Sequence, residues 1–327
     1  MSATTTAGAT TRRARVGWGD LAWLTWRQHR WTVLATAVPV LAAIAPALGM
    51  ALHVDATGDT HELLGEWSYL SVAQALALLP GPLGLVIAVF WAAPLLSREY
   101  EQRTHLLVWS QDVPPLRWLA AKVVLLGAAA AGLAAGLGLA LVTLMNSLNA
   151  VHDGYPPFHP FGSDAFEAAP HVQAGYAVFG FALGLLAGAT TRRTVPAMGL
   201  ALVGLGAARL LVARLWRPHY DEPLRRVTPY EQYARSPDLG RDGAYRVAGG
   251  YADPAGNEIP FPAGCHGATS NDGYIGCLVD HDVHYFVDYH PVERLASFQL
   301  IEFSIFAGLA AALFALAFAA VRRARRV

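Results

Sequence analysis

The sequence of 327 residues contains one lysine, Lys122, and two cysteines, and only 15% of its residues are charged. Each scarcity excludes something. With 54% hydrophobic residues and a mean hydropathy of +0.33, so little charge is not the composition of a soluble domain. The lone lysine follows Trp118-Leu119-Ala120-Ala121 with no glycine-rich turn before it, so the chain has no phosphate loop for a nucleotide. No G-x-S-x-G elbow occurs, and His61-Glu62-Leu63-Leu64-Gly65 lacks the second histidine of a zinc-protease helix. No catalytic residue is therefore expected, and the chain reads as a non-enzyme. A formal net charge of zero offers no basic footprint for nucleic acid. No repeat of fixed period organises the chain.

What is abundant is apolar sequence. Six runs, at roughly 33–52, 70–96, 118–145, 172–191, 194–215 and 298–321, each approach or exceed the ~20 residues that cross a bilayer core. Arginines fall in every second gap: Arg12, Arg13, Arg15, Arg27 and Arg30 before the first run, Arg98, Arg103 and Arg117 after the second, Arg192 and Arg193 after the fourth, and Arg322, Arg323, Arg325 and Arg326 at the end. The gaps at 53–69 and 146–171 hold no Lys or Arg. On the positive-inside rule the arginine-bearing gaps face the cytoplasm, so both termini do. The long gap at 216–297 contains arginines, but long segments translocate regardless of charge and do not vote. The expectation is an all-α multi-pass protein of the plasma membrane, whose basic inner rim suits an anionic leaflet. Basic residues before the first run, with Ala45-Pro46-Ala47 within it, imitate a secretory signal; its length and the five runs that follow make it an uncleaved anchor.

Within this frame residues 1–16 read as a disordered cytoplasmic arm, 17–215 as the first five spans with their surface helices, 216–297 as an extracellular segment and 298–327 as the sixth span with a basic tail. Trp18, Trp23, Trp26 and Trp31, interleaved with Arg27 and Arg30, suit either a helix lying at the membrane interface or an extended base of the first span. Pro80-Gly81-Pro82 and Pro94 predict a break or kink in the second span, as a plain kink or as the mark of a transport pathway. Gly132 and Gly136 in the third span, and Gly180, Gly184 and Gly188 in the fourth, predict a face open to a close neighbour, within the chain or in a second copy. Arg209, in the external half of the fifth span, is expected to snorkel rather than to sit in a buried ion pair. Short mixed runs near 244–251 and 283–289 can form strands, which makes 216–297 a small mixed cap.

Cys265 and Cys277 both lie in that segment, where the compartment permits oxidation, so a disulfide is expected. His266, His281 and His284 lie near them in sequence, but a zinc site needs thiolates and this spacing matches no familiar finger. No metal is expected.

The cytoplasmic connector after the second span runs Ser97-Arg98-Glu99-Tyr100-Glu101-Gln102-Arg103-Thr104-His105-Leu106-Leu107-Val108-Trp109, then Pro114-Pro115. Glu99 with Arg103, and Glu101 with His105, stand four apart and support a short surface helix. The run Arg98-Glu99-x-Glu101-x-x-Thr104, with Trp109, Pro114 and Lys122, resembles the segment between the second and third spans of type 2 ABC transporter permeases. Phe90 to Glu99, Tyr289-His290-Pro291 and Phe298-Gln299-Leu300-Ile301-Glu302 look like the actinobacterial branch of that family.

The resemblance covers nearly the whole chain and implies that Arg98, Glu99, Glu101, Arg103, Thr104 and Trp109 belong to a coupling helix that docks on an ATPase subunit. Arg103 departs from the family, which has glycine there, and predicts a more regular or more basic docking helix. ATP and Mg would then be held by a separate ABC ATPase subunit, the permease would work as a homo- or heterodimer in membrane lipid, and transport would run outward. The contrasting expectation is a non-transporting membrane protein whose external cap senses a ligand. A channel has little support, since no span carries repeated polar residues along one face.

Overall fold

A computed structural model of the chain describes residues 16–60, 68–103, 114–152, 154–235, 242–267 and 270–324. Among the described residues, six helical stretches are long and apolar enough to cross a membrane: span 1 Trp18–Thr57, span 2 Tyr69–Glu101, span 3 Pro115–Val151, span 4 Pro170–Thr191, span 5 Thr194–His219 and span 6 Val292–Arg323. All six apolar runs are thus helical, with ends reaching beyond the runs. The tryptophan-rich base is continuous with span 1, so it extends that helix. The proposed arm lies almost wholly outside the described residues.

Span 4 is the centre of the bundle. It packs against spans 2, 3, 5 and 6, and 78% of its most apolar window is buried, against 22% in spans 5 and 6. Lipid tails are as apolar as leucine, so burial alone cannot gather helices in a membrane, and close contact has to do it. Gly184 and Gly188 provide that contact. A Cβ on Gly184 would stand 2.4 Å from the Ala88 carbonyl oxygen, and one on Gly188 2.6 Å from that of Ala93. Gly180 faces Gly84 and Ala88 of the same span. Gly136 meets only Ile44, and Gly132 meets nothing within 4 Å.

Span 2 is the irregular element that this groove accommodates. Its helix Tyr69–Leu76 stops, a second begins at Pro80, a π-helical segment follows at Ile87–Ala92, and α-helix resumes over Ala93–Glu101. Pro80 and Pro82 carry no N–H, so the helix cannot pass through them in register. Trp91 in the π segment donates from Nε1 to Thr36 Oγ1 at 3.0 Å, which ties span 2 to span 1.

Between spans 5 and 6 the chain folds a cap around a three-stranded antiparallel sheet ordered β1 (Leu224–Pro229), β3 (His284–His290), β2 (Tyr245–Ala252). Phe286 and Val287 of the central strand are buried. Cys265 and Cys277 form a disulfide, with Cα atoms 5.7 Å apart, that fastens the helix Asn271–Asp280 to the turn Ala263–Cys265. His290 Nε2 donates to the Pro218 carbonyl at 3.0 Å and its ring meets Phe298, joining the cap to the ends of spans 5 and 6.

Candidate functional site

The arginine-bearing end of span 2 is where sequence and geometry converge. Arg98 and Arg103 are exposed, but the two glutamates beside them turn to neighbouring helices. Glu99 Oε1 accepts from Lys122 Nζ of span 3 at 2.6 Å. Lys122 is 1% exposed, and its ammonium also lies 4.1 Å from the centre of the Trp118 ring. A lysine so buried needs a counter-charge, because an unpaired ammonium in an apolar interior is too costly to keep. His29 of span 1 lies within electrostatic range of Lys122 and Arg98, which brings a third span to the cluster.

Glu101 reaches the other way. Its Oε1 accepts from the Thr194 backbone N–H at 2.9 Å and its Oε2 from the Thr194 hydroxyl at 2.7 Å. Thr194 is the first residue of span 5, so a carboxylate from span 2 satisfies an orphan donor there and meets the positive end of the helix dipole. Ser97 adds a hydrogen bond to the Thr194 hydroxyl at 3.1 Å. Arg192, in the tight turn between spans 4 and 5, lies 5.5 Å over Tyr100, and Arg117 lies 5.1 Å over Trp18. These contacts gather the start of span 1, the end of 2, the start of 3, the end of 4 and the start of 5 at one end of the bundle.

Arg103 departs from the expectation of a more regular helix. The α-helix ends at Glu101, and Arg103 has φ of 55°, the left-handed conformation that glycine adopts without strain. Thr104 and Trp109 lie outside the described residues.

A second polar cluster occupies the end of the bundle nearest the cap. Glu302 of span 6 is fully buried and accepts from Arg217 Nε at 2.9 Å and Nη2 at 2.7 Å, from Tyr220 at 3.1 Å and from the Tyr176 hydroxyl. Arg217 also reaches Glu167 at 3.3 Å. Arg209 does not snorkel: it pairs with Glu167 and donates from Nη1 to the Gly81 carbonyl at 2.8 Å, beside the break in span 2. Its guanidinium lies over Tyr176, and that of Arg217 over Phe166. Two carboxylates thus answer two guanidiniums, so the cluster balances its own charge. Glu302, a lone acid within an apolar run, was the sequence signal for it.

In the cap, Cys265, Cys277 and His281 come together, with the His281 Nδ1 4.0 and 3.9 Å from the two sulfurs. The disulfide leaves neither sulfur as a thiolate, so this trio does not fit a zinc ion.

Residues 55–217 match the sequence pattern of a family described as ABC-2 membrane transporter related. No curated protein and no solved structure matches the chain.

Proposed function

The chain belongs, through residues 55–217, to the ABC-2 membrane transporter related family, and from that membership we propose that it is the membrane-spanning permease subunit of an ABC transporter. It is a multi-pass membrane protein with six apolar helices. In this reading a separate ABC ATPase subunit binds ATP and Mg, docks on the segment that follows Arg98, and drives export across the plasma membrane. The permease acts as a homo- or heterodimer with both termini in the cytoplasm, a reading that the alternating arginines support.

The observation that carries the reading is the double attachment of the end of span 2. Glu99 grips span 3 through Lys122, and Glu101 grips the first residue of span 5. Nucleotide can drive transport only by favouring one arrangement of the bundle over another. A force applied just beyond Glu101 is delivered to three spans at once, which suits a lever better than a solvated connector.

The same geometry divides the labour among the motif residues. Exposed Arg98 and Arg103 are the docking groups, while Glu99 and Glu101 transmit. The test is coexpression with a candidate ABC ATPase subunit. Arg98→Glu should abolish copurification, whereas Glu101→Ala should keep the complex and lose nucleotide-dependent transport. A wild-type chain that retains no ATPase, with an unaltered phenotype for both variants, would instead favour a ligand-sensing membrane protein.

A further inference from the structure

One face of span 1 is exposed from end to end. At steps of three and four residues it presents Trp23, Arg27, Arg30, Leu34, Val38 and Leu41, and all six are exposed. The opposite face, through Leu21, Thr25, Val33 and Val40, is buried in the bundle. The aromatic and cationic part of the stripe is therefore continuous with the apolar part that faces lipid tails.

The helix sets the depth of each group. From Trp31 to Leu41 is ten residues, about 15 Å at 1.5 Å per residue, which is half of a ~30 Å hydrocarbon core. With Trp31 at the boundary, Arg30 and Arg27 fall in the headgroup layer. Trp23 and Trp31 are 60% and 71% exposed, which suits rings at a membrane interface better than rings in bulk water.

Charge then selects the headgroup. Asp20 is the sole carboxylate between residues 16 and 54, and it is engaged with the Gly17 N–H at 2.8 Å. The guanidinium carbons of Arg27 and Arg30 each lie 5.2 Å from the centre of a tryptophan ring, Trp23 and Trp31 respectively. Stacked in this way, a guanidinium keeps its edge N–H groups free for a phosphate.

We infer that this face binds an anionic phospholipid, its phosphate held by Arg27 and Arg30 and one acyl chain lying along Leu34, Val38 and Leu41. A second copy of the chain or a soluble subunit would have to cover two cations without a facing acid on this helix. The inference requires only that span 1 crosses a membrane and does not depend on ATP coupling.

The test uses the full chain alone, reconstituted in phosphatidylcholine containing trace phospholipid with a nitroxide near the glycerol. Tryptophan quenching should require about 25-fold less labelled phosphatidylglycerol than labelled phosphatidylcholine, about fivefold of the preference coming from each arginine. Arg27→Gln with Arg30→Gln should merge the two curves, and Trp23→Phe with Trp31→Phe should remove most of the quenching. Both substitutions alter an exposed face, and an unchanged melting temperature verifies the fold. Superimposed curves in the unaltered chain, a preference that survives the double glutamine variant, or quenching by neither lipid would overturn the inference, the last by assigning the face to a protein.

Discussion

Glu302 and Arg217, 85 residues apart in sequence, form a two-point ion pair in the interior of the bundle, at 2.9 and 2.7 Å. Removing one partner leaves the other charged and uncompensated, which costs about 3–5 kcal/mol for buried pairs. Glu302→Ala should therefore lower stability by that order. Replacing both residues with methionine should recover much of the loss, as well-packed apolar substitutes often do. Thermal unfolding in detergent checks both outcomes, and equal losses in the single and double variants would contradict the pairing.

Gly184 and Gly132 look alike in sequence but should respond differently. Gly184→Ala drives a methyl group into the Ala88 carbonyl and should cost about 1–3 kcal/mol, the usual cost of overpacking. Gly132→Ala meets open space and should be neutral or slightly favourable, since alanine is the better helix former. Should Gly132 face a second copy, Gly132→Leu would lower the dimer fraction on size exclusion without moving the melting temperature.

At Arg103 the left-handed backbone costs a side-chain-bearing residue about 1–2 kcal/mol that glycine does not incur. Arg103→Gly should leave stability unchanged or raise it, while Arg103→Val should lower it. In a complex with the ATPase subunit, Arg103→Gly should weaken binding only through the lost charge, which an increase in salt would mimic.

The cap carries a pH dependence at its alkaline limit. Burial, then the neighbouring Tyr274, push Tyr230 up to about 12, and burial likewise raises Tyr251. The folded cap binds these protons more tightly than the unfolded chain, whose tyrosines titrate near 10. This contribution to stability is fully present below pH 10 and is lost as pH rises from about 10 to about 12. Tyrosinate absorbance should therefore rise together with loss of near-ultraviolet dichroism in that window. Ordinary tyrosine titration with the fold intact would contradict it.

Much of the architecture was legible because it is local. Six apolar runs became six helices, the prolines at 80 and 82 marked the interruption in span 2, and alternation near 245 and 285 marked two strands. β1 escaped notice because Leu224-Arg225-Arg226-Val227-Thr228-Pro229 is an edge strand, where charges and proline are tolerated and the alternating signal is weak. The partners of charged residues were not legible. Arg209 meets Glu167, Glu99 meets Lys122 and Glu101 meets Thr194 across separate helices, and helical periodicity carries no information about such pairings. For the same reason the motif glutamates read as outward-facing docking groups, although both turn to the bundle.

The π-helical segment at Ile87–Ala92 holds an extra residue in its winding. Passing that residue along the helix would need no permanent loss of backbone pairing, yet it would swivel the residues it passes by about 100°. Span 2 thus stores a quarter-turn of slack just upstream of Glu99 and Glu101, and their two grips set the angle at which that slack is held.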